Sequence, residues 1–266
     1  MNQALRVCLG LSCAVWRTGE SVVEIDRLAP TRRPVRRAIG TQSWRDLLFM
    51  HWPVPTDALR PLIPDGLTID TFEGVSYVGL IPFTLERLRP AGVPESLALS
   101  FLETNARTYV HFRGNDPGVF FFSLDAASAF AAITARLTFG LPYYSARIRM
   151  TREGSTIEHV TRRNRGDASL KVRYEPGTEK GRAVPGTLDH FLVERYVLYA
   201  KHLGRLLTAQ IHHTPYPLSR VTIASVEETV LSSAGIARPA GLPAVAHYSS
   251  GVDVELFAPR FLRVVT

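Results

Sequence analysis

The 266-residue chain is 45% hydrophobic and 21% charged, a balance that excludes a disordered polymer and provides a core needing no disulfide or metal staple. Its formal charge of +7 suggests nucleic acid only until it is divided: residues 1–41 carry seven arginines against Glu20, Glu24 and Asp26, a net +4, which leaves +3 for the rest. That remainder has no dense Lys/Arg stripe with interleaved aromatics, so nucleic acid is not an expected partner.

Both cysteines, Cys8 and Cys13, lie in the same N-terminal stretch, so the body has no disulfide framework and a cytoplasmic location is expected. The apolar run Val7–Trp16 is too short to span a bilayer and lacks a small-x-small cleavage site, so no membrane role is expected. Residues 1–41 therefore read as a basic, disordered extension, or as the product of a start codon assigned too far upstream. Pro30–Pro34 serves as a linker into one domain over 42–266.

Leu47–Trp52 is an apolar run with aromatics, bounded by Pro53 and Pro55, and is expected as a strand. Thr56 is placed as N-cap of a brief helix Asp57–Leu62, stopped by Pro64. Leu67–Phe72 alternates, Glu73-Gly74 turns, and Val75–Leu85 returns, which together predict a hairpin. Glu103–Phe112 and Val119–Leu124 are expected strands around a Gly114–Gly118 turn. Ala126–Leu137 has helical spacing, ended by Gly140 and Pro142. Tyr143–Arg152, Thr156–Arg163 and Ala168–Tyr174 alternate as a meander. Thr187 opens a helix with Asp189 in its first turn, and strands are expected at Gly204–His213, Val221–Val230 and Val252–Phe257. Strand exceeds helix throughout, so the fold class is a strand-rich α+β.

Chemistry concentrates on Glu103–Phe112. Alternation places Glu103, Asn105, Arg107, Tyr109 and His111 on one strand face. An acid, an amide, a guanidinium, a phenol and an imidazole in a row suit a polar ligand, with Arg107 clamping a carboxylate and Glu103 moving a proton. The same row also fits a solvent-facing edge with cross-strand ion pairs. His51, between Met50 and Trp52, is either a core histidine or a pocket residue. His212 and His213 point to opposite strand faces and cannot share a metal, and no other His/Glu/Asp spacing supplies a metal triad. Arg195 and Tyr196, beside Glu194, either reach a pocket or lock a helix to a sheet. The chain lacks G-x-G-x-x-G, P-loop, H-E-x-x-H and G-x-S-x-G motifs, which leaves no expected cofactor.

The block Ser43–Pro55, together with Tyr77–Phe83, Glu103–Val110, Phe122–Ala126, Phe139–Tyr144, Gly186–Tyr196 and Ile211–His213, resembles the DUF2071 (YqjF-like) family. That family is similar to the acetoacetate decarboxylase-like superfamily. The resemblance implies a predominantly antiparallel β fold, its strands curled into a cone-like barrel around a polar cavity with a few flanking helices, and it favours the pocket reading of Glu103 and Arg107. Acetoacetate decarboxylase itself works through a lysine Schiff base lowered in pKa by an adjacent cation. This chain has only Lys171, Lys180 and Lys201, with no Lys-Lys pair. Two functions are therefore expected to compete. One is an enzyme acting on a small oxo- or carboxy-acid without a Schiff base, using Glu103, Arg107 and His51 with Asn105, Tyr109, Arg195, Tyr196 and His213 around the ligand. The other is a non-catalytic binder of a small anionic metabolite.

Overall fold

A computed structural model describes residues 25–129, 140–237 and 241–263. Thirteen strands are present among them: β1 Gly40–Val54, β2 Thr68–Ile69, β3 Ser76–Pro90, β4 Leu99–Phe112, β5 Asn115–Ala126, β6 Tyr143–Glu153 and β7 Thr156–Arg163. β8 Ser169–Gly181, β9 Val197–His202, β10 Arg205–His213, β11 Leu218–Glu228, β12 Val245–Leu256 and β13 Arg260–Phe261 complete the set. The described helices are short, at Thr56–Leu59, Leu188–Val193 and Val230–Ser233.

All strands join one mixed sheet in the order β13-β10-β9-β5-β6-β7-β8-β11-β12-β1-β3-β4-β2. Ladders between β4 and β5 and between β10 and β12 turn this row back on itself. The parallel β5–β6 and the β11–β12 rungs are short, so the sheet curls into a partial ring rather than an evenly laddered barrel.

The middle strands are buried on both faces, which is why they read as near-continuous apolar runs. Leu48, Met50, Leu80, Ala106 and Val110 enter one core, while Leu47, Phe49, Ile81, Phe83 and Tyr109 enter another. The second core surrounds the cavity described below.

Several local expectations change. Thr56 is the first helical residue, preceded by Pro55, and makes no capping bond; its hydroxyl meets Ser76 instead. The Glu73-Gly74 turn forms with both residues at positive φ, the type I′ geometry, but only Phe72 and Val75 bridge across it. β2 pairs with β4, not β3, so the predicted hairpin is reduced to its turn. Arg113-Gly114 makes the β4–β5 turn, tighter than the expected Gly114–Gly118. Thr187 does cap its helix, accepting from His190 N, with Asp189 in the first turn. The helix expected at Ala126–Leu137 falls largely on residues outside the described ones, and Ala126 itself ends β5.

Residues 25–39 lie against the sheet. Arg27 pairs with buried Asp70 at 2.5 Å, Gln210 donates to the Pro30 carbonyl, and Arg33 pairs with Glu255 at 2.6 Å.

Candidate active site

A cavity of about 210 Å³ opens among β1, β3, β4, β5 and β10. β4 fixes its polar wall: Glu103, Asn105 and Arg107 line it, as alternation requires. Thr104 points the other way, into bonds with Thr161 and His159. Most of the remaining lining is apolar, with Leu47, Phe49, Ile81, Phe83 and Leu85 opposite the polar row. The expectation of a polar cavity is therefore corrected: a few polar groups converge in an aliphatic and aromatic wall, because β1 and β3 send their second apolar face here.

The register gives depth. Trp44 pairs with Leu85, Phe83 with Glu103, Ile81 with Asn105, and Gly79 with both His51 and Arg107. At the first of these levels lie the part-exposed Gln42, Trp44 and Leu88; at the last, His51 is fully buried. The row thus runs along the wall from the part-exposed end at Gln42 and Leu88, past Glu103 and Asn105, to Arg107, all three of them buried.

Glu103 is only 2% exposed. Burial pushes its carboxyl up to about 8, with Asp125 nearby adding to the rise and a hydrogen bond from Tyr143 opposing it. The Tyr143 hydroxyl donates to Glu103 Oε2 at 2.9 Å. Glu103 is thus a neutral acid at neutral pH.

Arg107 is 8% exposed and has no carboxylate partner among the described residues. Its Nη2 donates to the Leu192 carbonyl at 3.2 Å and its Nε has no partner. Its guanidinium lies over Phe49 and Tyr109. Asn105 Oδ1 is also buried and unpartnered. Arg195 lines the cavity too; its Nη1 pairs with Asp70 at 2.9 Å, a carboxylate shared with Arg27, its Nε donates to the Phe191 carbonyl, and its Nη2 is buried without a partner.

The other expected residues sit one layer back. Tyr109 is fully buried, 2.8 Å from both His51 Nε2 and the Leu192 carbonyl. The carbonyl can only accept, so Tyr109 donates to it and receives its second bond from His51 Nε2–H. His51 Nδ1 then carries a lone pair with no partner. Burial, then Arg107 and His247, hold its imidazole well below the usual histidine range. Burial lowers His213 to about 4; it donates to the Thr214 carbonyl and stacks on Tyr196 at 4.3 Å. Tyr196 donates to Glu194 two residues away at 2.6 Å, and Glu194 in turn accepts from Tyr216 N at 3.0 Å. His212 points away, toward Glu255. None of His51, Tyr109, Tyr196 or His213 lines the cavity, so the structure assembles Glu103, Asn105, Arg107 and Arg195 there and leaves the rest as support.

Tyr143, Tyr216 and Gln210 line the site without having been singled out. For Tyr143 a signal existed: adjacent tyrosines on a strand face opposite ways, and Tyr144 lies outside under the Arg163 guanidinium at 3.9 Å. None of the three lysines lines the cavity. Lys171 pairs with Glu158 at 3.6 Å, Lys180 pairs with Asp189, and Lys201 is exposed. Among the described residues no cluster of three or more His, Cys, Asp or Glu is arranged to hold a metal ion. No described helix is long and apolar enough to cross a membrane.

Residues 41–253 match DUF2071, described as an uncharacterized conserved protein. The chain belongs to this family. A DUF2071 relative from Bacillus subtilis (strain 168), the uncharacterized protein YqjF, is 38% identical over 223 residues, covering 83% of this chain and 91% of its own. Solved structures with the same fold are enzymes. The enduracididine biosynthesis enzyme MppR, complexed with pyruvate, superposes with a TM-score of 0.62 at 13% identity, covering 95% of this chain and 97% of its own. An acetoacetate decarboxylase-like enzyme from Sphingomonas wittichii RW1 gives 0.57 at 13% identity, covering 86% and 95%. Acetoacetate decarboxylase from Legionella pneumophila gives 0.53 at 14% identity, covering 87% and 94%. The fold of this DUF2071 chain is therefore acetoacetate decarboxylase-like.

Proposed function

We propose that this protein is an enzyme performing acid–base chemistry on a small oxo- or carboxy-acid inside the cavity, without a lysine Schiff base. One observation carries the reading: a buried guanidinium, Arg107, lines the cavity with no carboxylate among the described residues to meet its charge. An uncompensated buried charge is costly, and a ligand carboxylate is its natural complement. Glu103, neutral at neutral pH, supplies a proton to an oxo group, and the Tyr143 hydroxyl then steadies the carboxylate left behind. A tightly held acid in a water-poor wall is the usual arrangement for such transfer. The relatives of the same fold named as enzymes support a catalytic role over a purely structural one. Glu103, Asn105 and Arg107 contact the ligand in this reading; Arg195, Tyr109, His51, Tyr196 and His213 hold the wall in shape. The partner is a small anion, and the location is cytoplasmic.

The test is a panel of small oxo-acids incubated with the protein in heavy water, with carbon-bound proton exchange followed by NMR. Exchange that drops by two or more orders of magnitude in Glu103→Gln supports the enzyme. Ligand affinity unchanged in Glu103→Gln, with no exchange in either protein, makes it a binder. Borohydride trapping a ligand on any lysine overturns the Schiff-base-free chemistry.

A further inference from the structure

Glu103 and Arg107 share a wall but not a position. Four residues of extended strand separate their Cα atoms by about 13 Å. The Arg107 guanidinium lies over Phe49 and Tyr109 and donates to Leu192 O. Arg107 is not among the groups that perturb Glu103, though it perturbs His51, Tyr109, His213 and Tyr216. A three-carbon 2-oxo acid seated on Arg107 would leave most of the length of this wall uncovered.

The space between and beyond them is apolar. Phe49, Ile81, Phe83, Leu85 and Leu88 follow the strands from the floor to the mouth, where Ile39 and Leu256 continue the lining. The volume of about 210 Å³ compares with roughly 150 Å³ for a cavity that accepts benzene, so it fits a ligand of roughly eight to ten non-hydrogen atoms.

We propose that the site takes an elongated monocarboxylate, its carboxylate inward on Arg107 and its apolar chain running past Glu103 to the mouth. This rests on the anion-binding reading of Arg107 given above. Any oxo group acted on by Glu103 then lies several bonds from the carboxylate, not on the adjacent carbon. Asn105, set between the two with Oδ1 unpartnered, faces the middle of the chain. Arg195 is engaged on one side by Asp70, a carboxylate it shares with Arg27, while its Nη2 is unpartnered.

Calorimetric titration of the intact protein with pyruvate, octanoate and octanamide tests this, extended by a series from butanoate to decanoate. Octanoate binds, octanamide binds at least tenfold more weakly, and pyruvate at the same concentrations does not bind. Affinity rises about fourfold per added methylene until the chain fills the cavity. Arg107→Met removes the preference of octanoate over octanamide while octanamide still binds. A flat length series, equal binding of octanoate and octanamide, or pyruvate binding tighter than octanoate each overturns the elongated ligand. Arg107-dependent pyruvate binding would leave the small oxo-acid function standing, whereas failure of every carboxylate sinks both.

Discussion

Glu103 and Arg107 are two buried ionisable groups that have no opposite charge paired with them among the described residues. For Glu103 the folded pKa of about 8 lies above the ordinary 4.5. The stability its proton contributes is therefore complete below about pH 4.5 and is lost as pH rises through about 8. Glu103→Gln keeps the shape and cannot ionise. Between pH ~5 and ~8 its melting temperature should fall less than that of the parent protein, as calorimetric scans across that range would reveal. Equal slopes would mean that Glu103 is already ionised in the fold. For Arg107 the balance is between one carbonyl hydrogen bond with ring contacts and the desolvation of a full charge. Apolar replacement of buried charges is often stabilising by about 1–4 kcal/mol, so Arg107→Met should raise the urea midpoint while abolishing any response to carboxylates. A drop in the midpoint would show that the Leu192 bond outweighs the unmet charge.

At the level of elements, β4 serves two cores at once, and its alternation sends Glu103, Asn105 and Arg107 one way and Thr104, Ala106 and Thr108 the other. Close approach elsewhere keeps that strand in place. β5 meets β9 in parallel at Val119 and Phe120, and Gly118 just before it lies under the Val197 backbone. A Cβ at Gly118 would fall 2.3 Å from the Val197 carbonyl oxygen, a group that cannot rotate aside. Gly118→Ala should therefore push β9 off β5 at a cost of about 3 kcal/mol or more, read as a lower denaturant midpoint. It should also loosen the Val119, Val197 and Leu198 side of the cavity, so ligand affinity should fall with stability. An unchanged midpoint would mean that the parallel rung contributes little.

For the whole molecule, buried histidines set the acid limit. Burial lowers His159 to about 3 and His213 to about 4, and His51 falls in the same direction. A lowered folded pKa means that stability is held above the ordinary 6.5 and lost as pH drops below it. Six histidines shifted this way, with His111, His190 and His247 beside these three, act against the opposite trend of Glu103 and Glu194, each worth up to about 1.4 kcal/mol per pH unit. Below 6.5 the histidines dominate; above it the raised carboxylates Glu103 and Glu194 remain. Thermal stability should therefore peak near pH 6.5 and fall more steeply on the acid side, measurable as melting temperature from about pH 4 to 9. A plateau extending to pH 4 would mean that these imidazoles are hydrated or paired.

The sequence alone determined what local chemistry can dictate. The strand period put Glu103, Asn105 and Arg107 on one face, the Thr187 cap started its helix, Glu73-Gly74 turned, and the missing lysine pair argued against a Schiff base. The motif blocks fixed the family. The tertiary structure decided everything that depends on which surfaces meet. It made the cavity wall mostly apolar, because β1 and β3 bury both faces. It parted Glu103 from Arg107, brought Tyr143 from a distant strand onto Glu103, and set Asp70 against Arg195. It also moved His51 and His213 behind the wall, since a residue's burial and charge environment arise from contacts between strands that sequence spacing does not encode.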